Sequence, residues 1–96
     1  MKVMLDDRKA APKGWTLATT GEEFLAVCGD GKFVEAVSLD HDLGDGMSGY
    51  DVVLQMLHEW KFWPPVVYVH SMNPAGRDAM VRALAMSPPK VRVIVR

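Results

Sequence analysis

The chain has a single cysteine, Cys28, among its 96 residues, so no internal disulfide can staple the fold and the core itself must hold it. Set beside Phe24, Leu25 and Val27, that cysteine reads as a small buried apolar residue and not as a nucleophile. No apolar stretch approaches the roughly 20 residues of a membrane span. Neither sign of charge dominates: 11 basic and 12 acidic residues leave a formal charge of −1. That balance argues against an extended nucleic-acid surface and against a membrane-binding face. A nucleotide or an RNA end stays compatible with it, because one site needs only local charge. Repeats, low-complexity tracts and linkers are also missing, and Met1 to Leu5 leads directly into a strand-like run, so the expectation is a cytoplasmic protein. What is present is apolar material, 49% of residues, enough for a thin core in one domain over residues 1–96.

The apolar residues are patterned. Lys2 to Leu5 is a short apolar run that reads as a strand, and Pro12 and Gly14 make Arg8 to Gly14 a loop. Trp15 to Thr19 alternates as a second strand. Thr20 and Glu23 have the spacing of a capping box, and the helix they open carries Phe24, Leu25 and Cys28 on one face until Gly29-Asp30-Gly31. Phe33 to Leu39 is continuous enough for a central strand. The spacing of Tyr50, Val53, Leu54 and Leu57 predicts a helix from about Ser48 to Trp60, stopped by Pro64-Pro65. The aromatic group Trp60, Phe62 and Trp63 is expected to pack beneath it. Val66 to Val69 is the next strand. Asn73-Pro74 then caps a helix with Ala79, Met80, Ala83 and Leu84 inward and Arg77, Asp78 and Arg82 outward. Ser87-Pro88-Pro89 ends it, and Val91 to Val95 is the last strand. Strands alternating with helices at this spacing predict an α/β domain with a parallel sheet and right-handed crossovers.

Three of these strands switch abruptly from apolar residues to acids or imidazoles. They are Leu5-Asp6-Asp7, Ser38-Leu39-Asp40-His41-Asp42-Leu43-Gly44 and Val69-His70-Ser71-Met72-Asn73-Pro74. Buried parallel strands behave this way where their carboxyl ends open into a shared cleft. Asp6, Asp7, Asp40 and Asp42 cannot crowd together as bare anions, so either some are protonated or a cation neutralises them. Hard carboxylate oxygens suit Mg²⁺ or Mn²⁺, and neighbouring imidazoles move the preference toward Mn²⁺. The competing explanation is that the acids are solvated loop residues and helix caps. His70 is the candidate general acid or base, against a histidine merely hydrogen-bonded at a strand end. His41 is a candidate catalytic residue that acts by orienting an acid. Ser71 is a candidate phosphoryl contact, as is Arg77 in the first turn of a helix with free amides. Asn73 has two readings, helix cap and substrate contact. His58, on the mid-chain helix, reads as a surface residue.

The layout resembles the response-regulator receiver domain, whose paired acids, later single acid and Ser or Thr are matched in order by Asp6-Asp7, Asp40 and Ser71. It is still more similar to a divergent branch, the cyclic-phosphate processing receiver domain. That pattern is carried by Leu5-Asp6-Asp7 with Pro12, by Ser38 to Gly44, by Gly49-Tyr50-Asp51 and by His70-Ser71-Met72-Asn73-Pro74-Ala75-Gly76. Lys9 stands where the family usually has arginine, which keeps a positive charge for phosphate but loses the planar fork. The resemblance implies a flavodoxin-like, doubly wound five-stranded sheet of order 2-1-3-4-5, with a shortened first crossover and no final helix. Arg96 replaces the lysine that usually follows the last strand, which makes a conventional phospho-switch a poor fit.

What the resemblance implies for function is a metal-dependent phosphoesterase, a hydrolase opening a cyclic phosphate at an RNA 2′,3′-cyclic end or in a cyclic nucleotide. The acids Asp6, Asp7, Asp40 and Asp42 would hold the metal, His70 would move the proton, and Lys9, Ser71, Asn73 and Arg77 would contact phosphate. Three other readings stand beside it: a binding module that sequesters such a ligand, a phosphoacceptor receiver modified at Asp40, and an interaction domain in which the acids are remnants. An exposed last strand would also allow edge pairing into a homodimer.

Overall fold

A computed structural model describes residues Met1 to Arg96. Five parallel strands form one sheet: β1 (Lys2–Leu5), β2 (Trp15–Ala18), β3 (Ala36–Leu39), β4 (Val66–Val69) and β5 (Arg92–Val95). Their order is β2-β1-β3-β4-β5, the receiver-like order expected from the resemblance. The helices are α1 (Gly21–Cys28), α2 (Gly49–Glu59) and α3 (Pro74–Leu84). None is long and apolar enough to cross a membrane.

Register divides the strand residues between two faces. Val3, Val37 and Val67 align across the sheet, as do Leu5, Ala18, Leu39 and Val69, and all are buried. They form one core with Phe24 and Cys28 of α1, Val52, Val53 and Met56 of α2, and Met80 and Leu84 of α3. Each such side chain taken out of water contributes about 1.5–3 kcal/mol before entropy is counted. The three helices therefore share one face. Handedness explains why: the steps β2 to β3, β3 to β4 and β4 to β5 all run the same way across the sheet, and right-handed crossovers then pass over the same side. The step from β1 to β2 runs the other way. Its connection is the loop between Leu5 and Trp15, with no helix, so the second face is left largely open.

That second face carries the rows Lys2, Trp15, Ala36, Val66, Arg92 and Met4, Leu17, Ser38, Tyr68, Ile94. Trp15 and Tyr68 lie on strands separated by two others, yet their ring centroids are 6.2 Å apart. They lean toward each other across the intervening β1 and β3, and Met4, Ala36 and Ser38 are buried on a face that no helix covers. The Arg96 guanidinium sits 3.7 Å from the Tyr68 ring centroid, and the Lys2 ammonium 6.0 Å from the Trp15 ring.

Several boundaries differ from the sequence expectation. The third strand begins at Ala36, and Phe33 is 76% exposed in the turn before it; apolar character alone extended the strand too far. On α2 the buried stripe is Gly49, Val52, Val53 and Met56, while Leu54 faces solvent at 42% exposure. A one-residue shift of the expected stripe Tyr50, Val53, Leu54 and Leu57 gives the observed one. At α1 the Thr20 hydroxyl accepts from the Glu23 N–H, but the Glu23 carboxylate reaches back to the Thr19 N–H, one residue short of a closed box. The reciprocal box is at α2, between Ser48 and Asp51. Trp60 does pack as expected, against Phe24 and Trp63, whereas Phe62 remains exposed.

Candidate metal and phosphate site

The sheet ladder continues one residue past the strands. Asp6 N–H donates to the Ala18 carbonyl, Asp40 to Leu5, His70 to Leu39 and Arg96 to Val69, at 2.9–3.0 Å. Strand alternation then points Asp6, Asp40, His70 and Arg96 to the same side as Met4 and Ser38, the open face. Four chemistry-bearing residues thus form a row along the carboxyl edge of β1, β3, β4 and β5.

Asp6 is the anchor of that row, only 2% exposed. One carboxylate oxygen accepts the backbone N–H groups of Arg8 and Lys9 at 2.8 and 2.9 Å, which folds the following loop back over the site. The other lies 2.9 Å from His70 Nε2. Burial alone would raise this carboxyl, but the N–H groups of Lys9 and Arg8 and the His70 ring outweigh it and hold it below the ordinary carboxylate range. An ionised Asp6 places the His70 proton on Nε2. In the neutral ring Nδ1 then accepts from the Ser38 hydroxyl, 2.6 Å away. Both nitrogens of His70 are engaged, and the tautomer is set.

Asp40 is pushed the opposite way. Partial burial raises its carboxyl, the nearby charges of Asp6 and Asp7 raise it further, and the His41 N–H and His70 only partly offset this. Asp40 thus stands beside like charges that a bound cation would offset. Asp6, Asp40 and His70 each offer one ligand atom, all within 4.8 Å of one another. The two carboxylates suit a hard divalent cation such as Mg²⁺ or Mn²⁺, whereas His70 joins as a ligand only by giving up its bond to Asp6 or to Ser38.

Of the other candidate ligands, Asp42 lines the cavity but is occupied by His41 Nδ1 at 2.9 Å and by Asn73 Nδ2 at 3.2 Å. Those two contacts, the His41 bond foremost, lower its carboxyl below the ordinary range. Asp7 is exposed and turns toward the loop at Gly44, 3.7 Å from the position a Cβ would take there. The set that converges is therefore Asp6, Asp40 and His70, with Asp7 and Asp42 at its margin.

His41 does not reach the cavity wall. Its backbone N–H closes on Asp40 Oδ1 at 2.8 Å, and its ring packs on α3 where Gly76 leaves room. A Cβ at Gly76 would overlap that ring, and one at Gly49 would overlap the Asp40 carbonyl, so both glycines are needed for close approach. Asn73 serves as the cap of α3, accepting the Gly76 N–H at 3.0 Å, while its amide donates to Asp42. Ser71 lines the cavity and accepts the Asn73 N–H. Lys9 lines it as well; Arg77 does not, and its N–H donates to the carbonyl of Asn73, the cap of α3.

The row stands at the head of a cavity of about 620 Å³. Besides the site residues, its wall includes Met4, Arg8, Pro12, Trp15, Ser38 and Arg96. Of these, Ser38 was legible in principle, since it precedes Asp40 by two and must share its face on a strand. Trp15 and Arg96 were not, because only the register and the bare second face bring them to this wall.

A family model for the cyclic-phosphate processing receiver domain matches residues 1–86, which includes every candidate residue except Arg96. The chain belongs to that family. Among solved structures, one chain described as a yeast Spc42 trimeric coiled coil fused to another structure aligns with a TM-score of 0.61 at 21% identity. The alignment covers 98% of this chain and 65% of that one, and it shows a shared fold alone. No curated protein matches the sequence. In this cyclic-phosphate processing receiver, then, the paired acids of the family pattern split in role. Asp6 turns inward to the imidazole and Asp7 stays outside.

Proposed function

We propose that this receiver is a metal-dependent phosphoesterase that hydrolyses a cyclic phosphate, at an RNA 2′,3′-cyclic end or in a cyclic nucleotide. The observation that carries the reading is the convergence of Asp6, Asp40 and His70 at the head of a cavity whose wall also holds Arg8, Lys9 and Arg96. Cations on the rim and a carboxylate–imidazole cluster at the head are what a phosphodiester needs for binding and for proton movement.

Asp6 and Asp40 would hold the divalent ion, which when bound supplies charge neutralisation at the phosphoryl oxygens, while His70, both of whose nitrogens are engaged by Asp6 and Ser38, is kept for proton movement. Arg8, Lys9 and Arg96 draw the anionic ester into the cavity and offset its charge. Ser71 presents a hydroxyl to a phosphoryl oxygen. In the reaction a water oxygen bonds to phosphorus, one ring P–O bond breaks, and the released ribose oxygen takes up a proton, giving a phosphomonoester. The Asp6–His70–Ser38 chain keeps the imidazole in one orientation, so a proton leaving Nε2 or arriving at Nδ1 has a defined partner.

The test is turnover of 2′,3′-cyclic nucleotides, a cyclic-phosphate-ended RNA and 3′,5′-cyclic nucleotides with Mn²⁺ or Mg²⁺. Asp40→Asn and His70→Ala are each expected to lower kcat/KM at least a hundredfold, in line with loss of a proton carrier or a metal ligand. Metal-dependent binding of one ligand without turnover would replace the enzyme reading by a sequestering module.

A further inference from the structure

The cavity does not end at the acids and imidazole. It runs down the open face of the sheet, from the Asp6 row past Met4 and Ser38 to Trp15. At a rise of about 3.3 Å per residue, the four residues from Asp6 to the Lys2–Trp15 row span roughly 13 Å. A bare cyclic phosphate or a cyclic phosphate on a small polyol would occupy only the head of this space. The lower part is walled by Met4, Pro12 and the half-buried Trp15, an apolar floor with an aromatic end, beneath a polar, charged head.

We infer that Trp15 is a base-stacking platform, so that the ligand of this site is a nucleoside cyclic phosphate with its base on the second face of the sheet; this rests on the cyclic-phosphate reading above. Three observations carry it. The cavity is one continuous space joining the phosphate-type head to the aromatic end, so both parts can be filled by one molecule. At about 620 Å³ it lies in the range of sites built for nucleotide-sized ligands. The face is free because the β1–β2 connection is a loop, and the same loop contributes Arg8, Lys9 and Pro12 as a side wall. Trp15 is also braced: Tyr68 flanks it at 6.2 Å, and the Arg96 guanidinium stacked on Tyr68 lines the same cavity. Trp15 is a specificity-determining residue here. It touches the base and takes no part in the bond that breaks.

The experiment is calorimetric titration of the full chain with Mn²⁺ present. The probes are adenosine 2′,3′-cyclic phosphate, a trinucleotide ending in a 2′,3′-cyclic phosphate, and glycerol 1,2-cyclic phosphate as the base-free analogue. They are offered to the unaltered chain, Trp15→Phe and Trp15→Leu, with cleavage of each probe followed in parallel. The expected result is nucleoside binding about tenfold or more tighter than the base-free analogue, lost in Trp15→Leu and largely kept in Trp15→Phe. Preference for the trinucleotide assigns the RNA end as source, and equal affinity assigns the free nucleotide. Equal binding of base-bearing and base-free probes by the unaltered chain overturns the inference, and cleavage of both leaves the phosphoesterase reading intact. Selective nucleoside binding that depends on Trp15 without any cleavage supports the platform and removes the enzyme reading. Absence of binding and cleavage for all three overturns both. Should Trp15→Leu fail to fold, Trp15→Phe and the comparison of probes on the unaltered chain decide.

Discussion

Asp6 and Asp40 occupy adjacent strands in the same ladder row, yet their carboxyl groups are driven apart. Asp6 accepts two backbone N–H groups and faces an imidazole; Asp40 has one N–H and looks toward two like charges. Opposite effects on stability follow. Asp6→Asn keeps the shape but weakens three contacts of a buried group, and it should destabilise the metal-free chain by about 1–3 kcal/mol in urea unfolding. Asp40→Asn removes a carboxylate that is costly to ionise in place, so the metal-free chain should melt higher near neutral pH while cation binding is lost. A destabilised Asp40→Asn chain would contradict the charge picture of the site. The pH dependence is fixed by the same two groups. The Asp6 contribution is complete above the ordinary carboxylate value and disappears as pH falls through the lowered folded one. The Asp40 penalty has the other sign, setting in as pH rises from the ordinary value through the raised one. Stability followed downward from pH 6 should therefore fall in the unaltered chain only once pH drops below the ordinary carboxylate value, and fall less there in Asp6→Asn.

At the scale of elements, the loops that follow β1, β3 and β4 are held by short-range bonds that place their side chains. Ser48 and Asp51 close the reciprocal box that starts α2, directly after the Asp40–Gly49 turn in which Gly49 N–H bonds to the His41 carbonyl at 2.8 Å. Ser48→Ala should cost about 1 kcal/mol. Because that turn also carries Asp40, a loss of cation affinity should accompany the loss of stability in calorimetry. Gly76→Ala at the start of α3 should be harsher, since the His41 ring must leave its place and Asp42 loses its main partner. An unchanged melting temperature in Gly76→Ala would show that the ring can move at no expense.

On the scale of the whole molecule, the decisive feature is asymmetry. Three helices cover one face of the sheet, and a loop alone crosses the other. The covered face supplies stability through Leu5, Val37, Leu39, Val67 and Val69; the open face supplies space. Substitution on the covered side, such as Leu39→Ala, should cost about 2–5 kcal/mol because the cavity left behind cannot collapse between sheet and α2. Substitution of Trp15 on the open face should cost much less in melting temperature while altering ligand preference, and a comparison of the two melting curves checks the division.

Much of this was legible in the residues themselves. Apolar runs ending in Asp6, Asp40 and His70 announced strands with a polar carboxyl edge, because a buried parallel strand has no other place for such groups. Asn73-Pro74 and the Ser87-Pro88-Pro89 stop bounded α3 through backbone chemistry alone, and the alternation of elements led to a parallel sheet. Local patterning could not choose between Leu54 and Met56 on α2, since both fall near the apolar stripe and only packing against the sheet selects one. Nor could it say which acids converge. Asp6 and Asp7 are neighbours with identical chemistry, and strand alternation together with the Arg8 and Lys9 amides turns one inward and leaves the other outside. Trp15 and Arg96 stand 81 positions apart in the chain. Strand order and the handedness of crossovers place them on the same cavity wall, and these belong to the assembled sheet and not to any one segment of it.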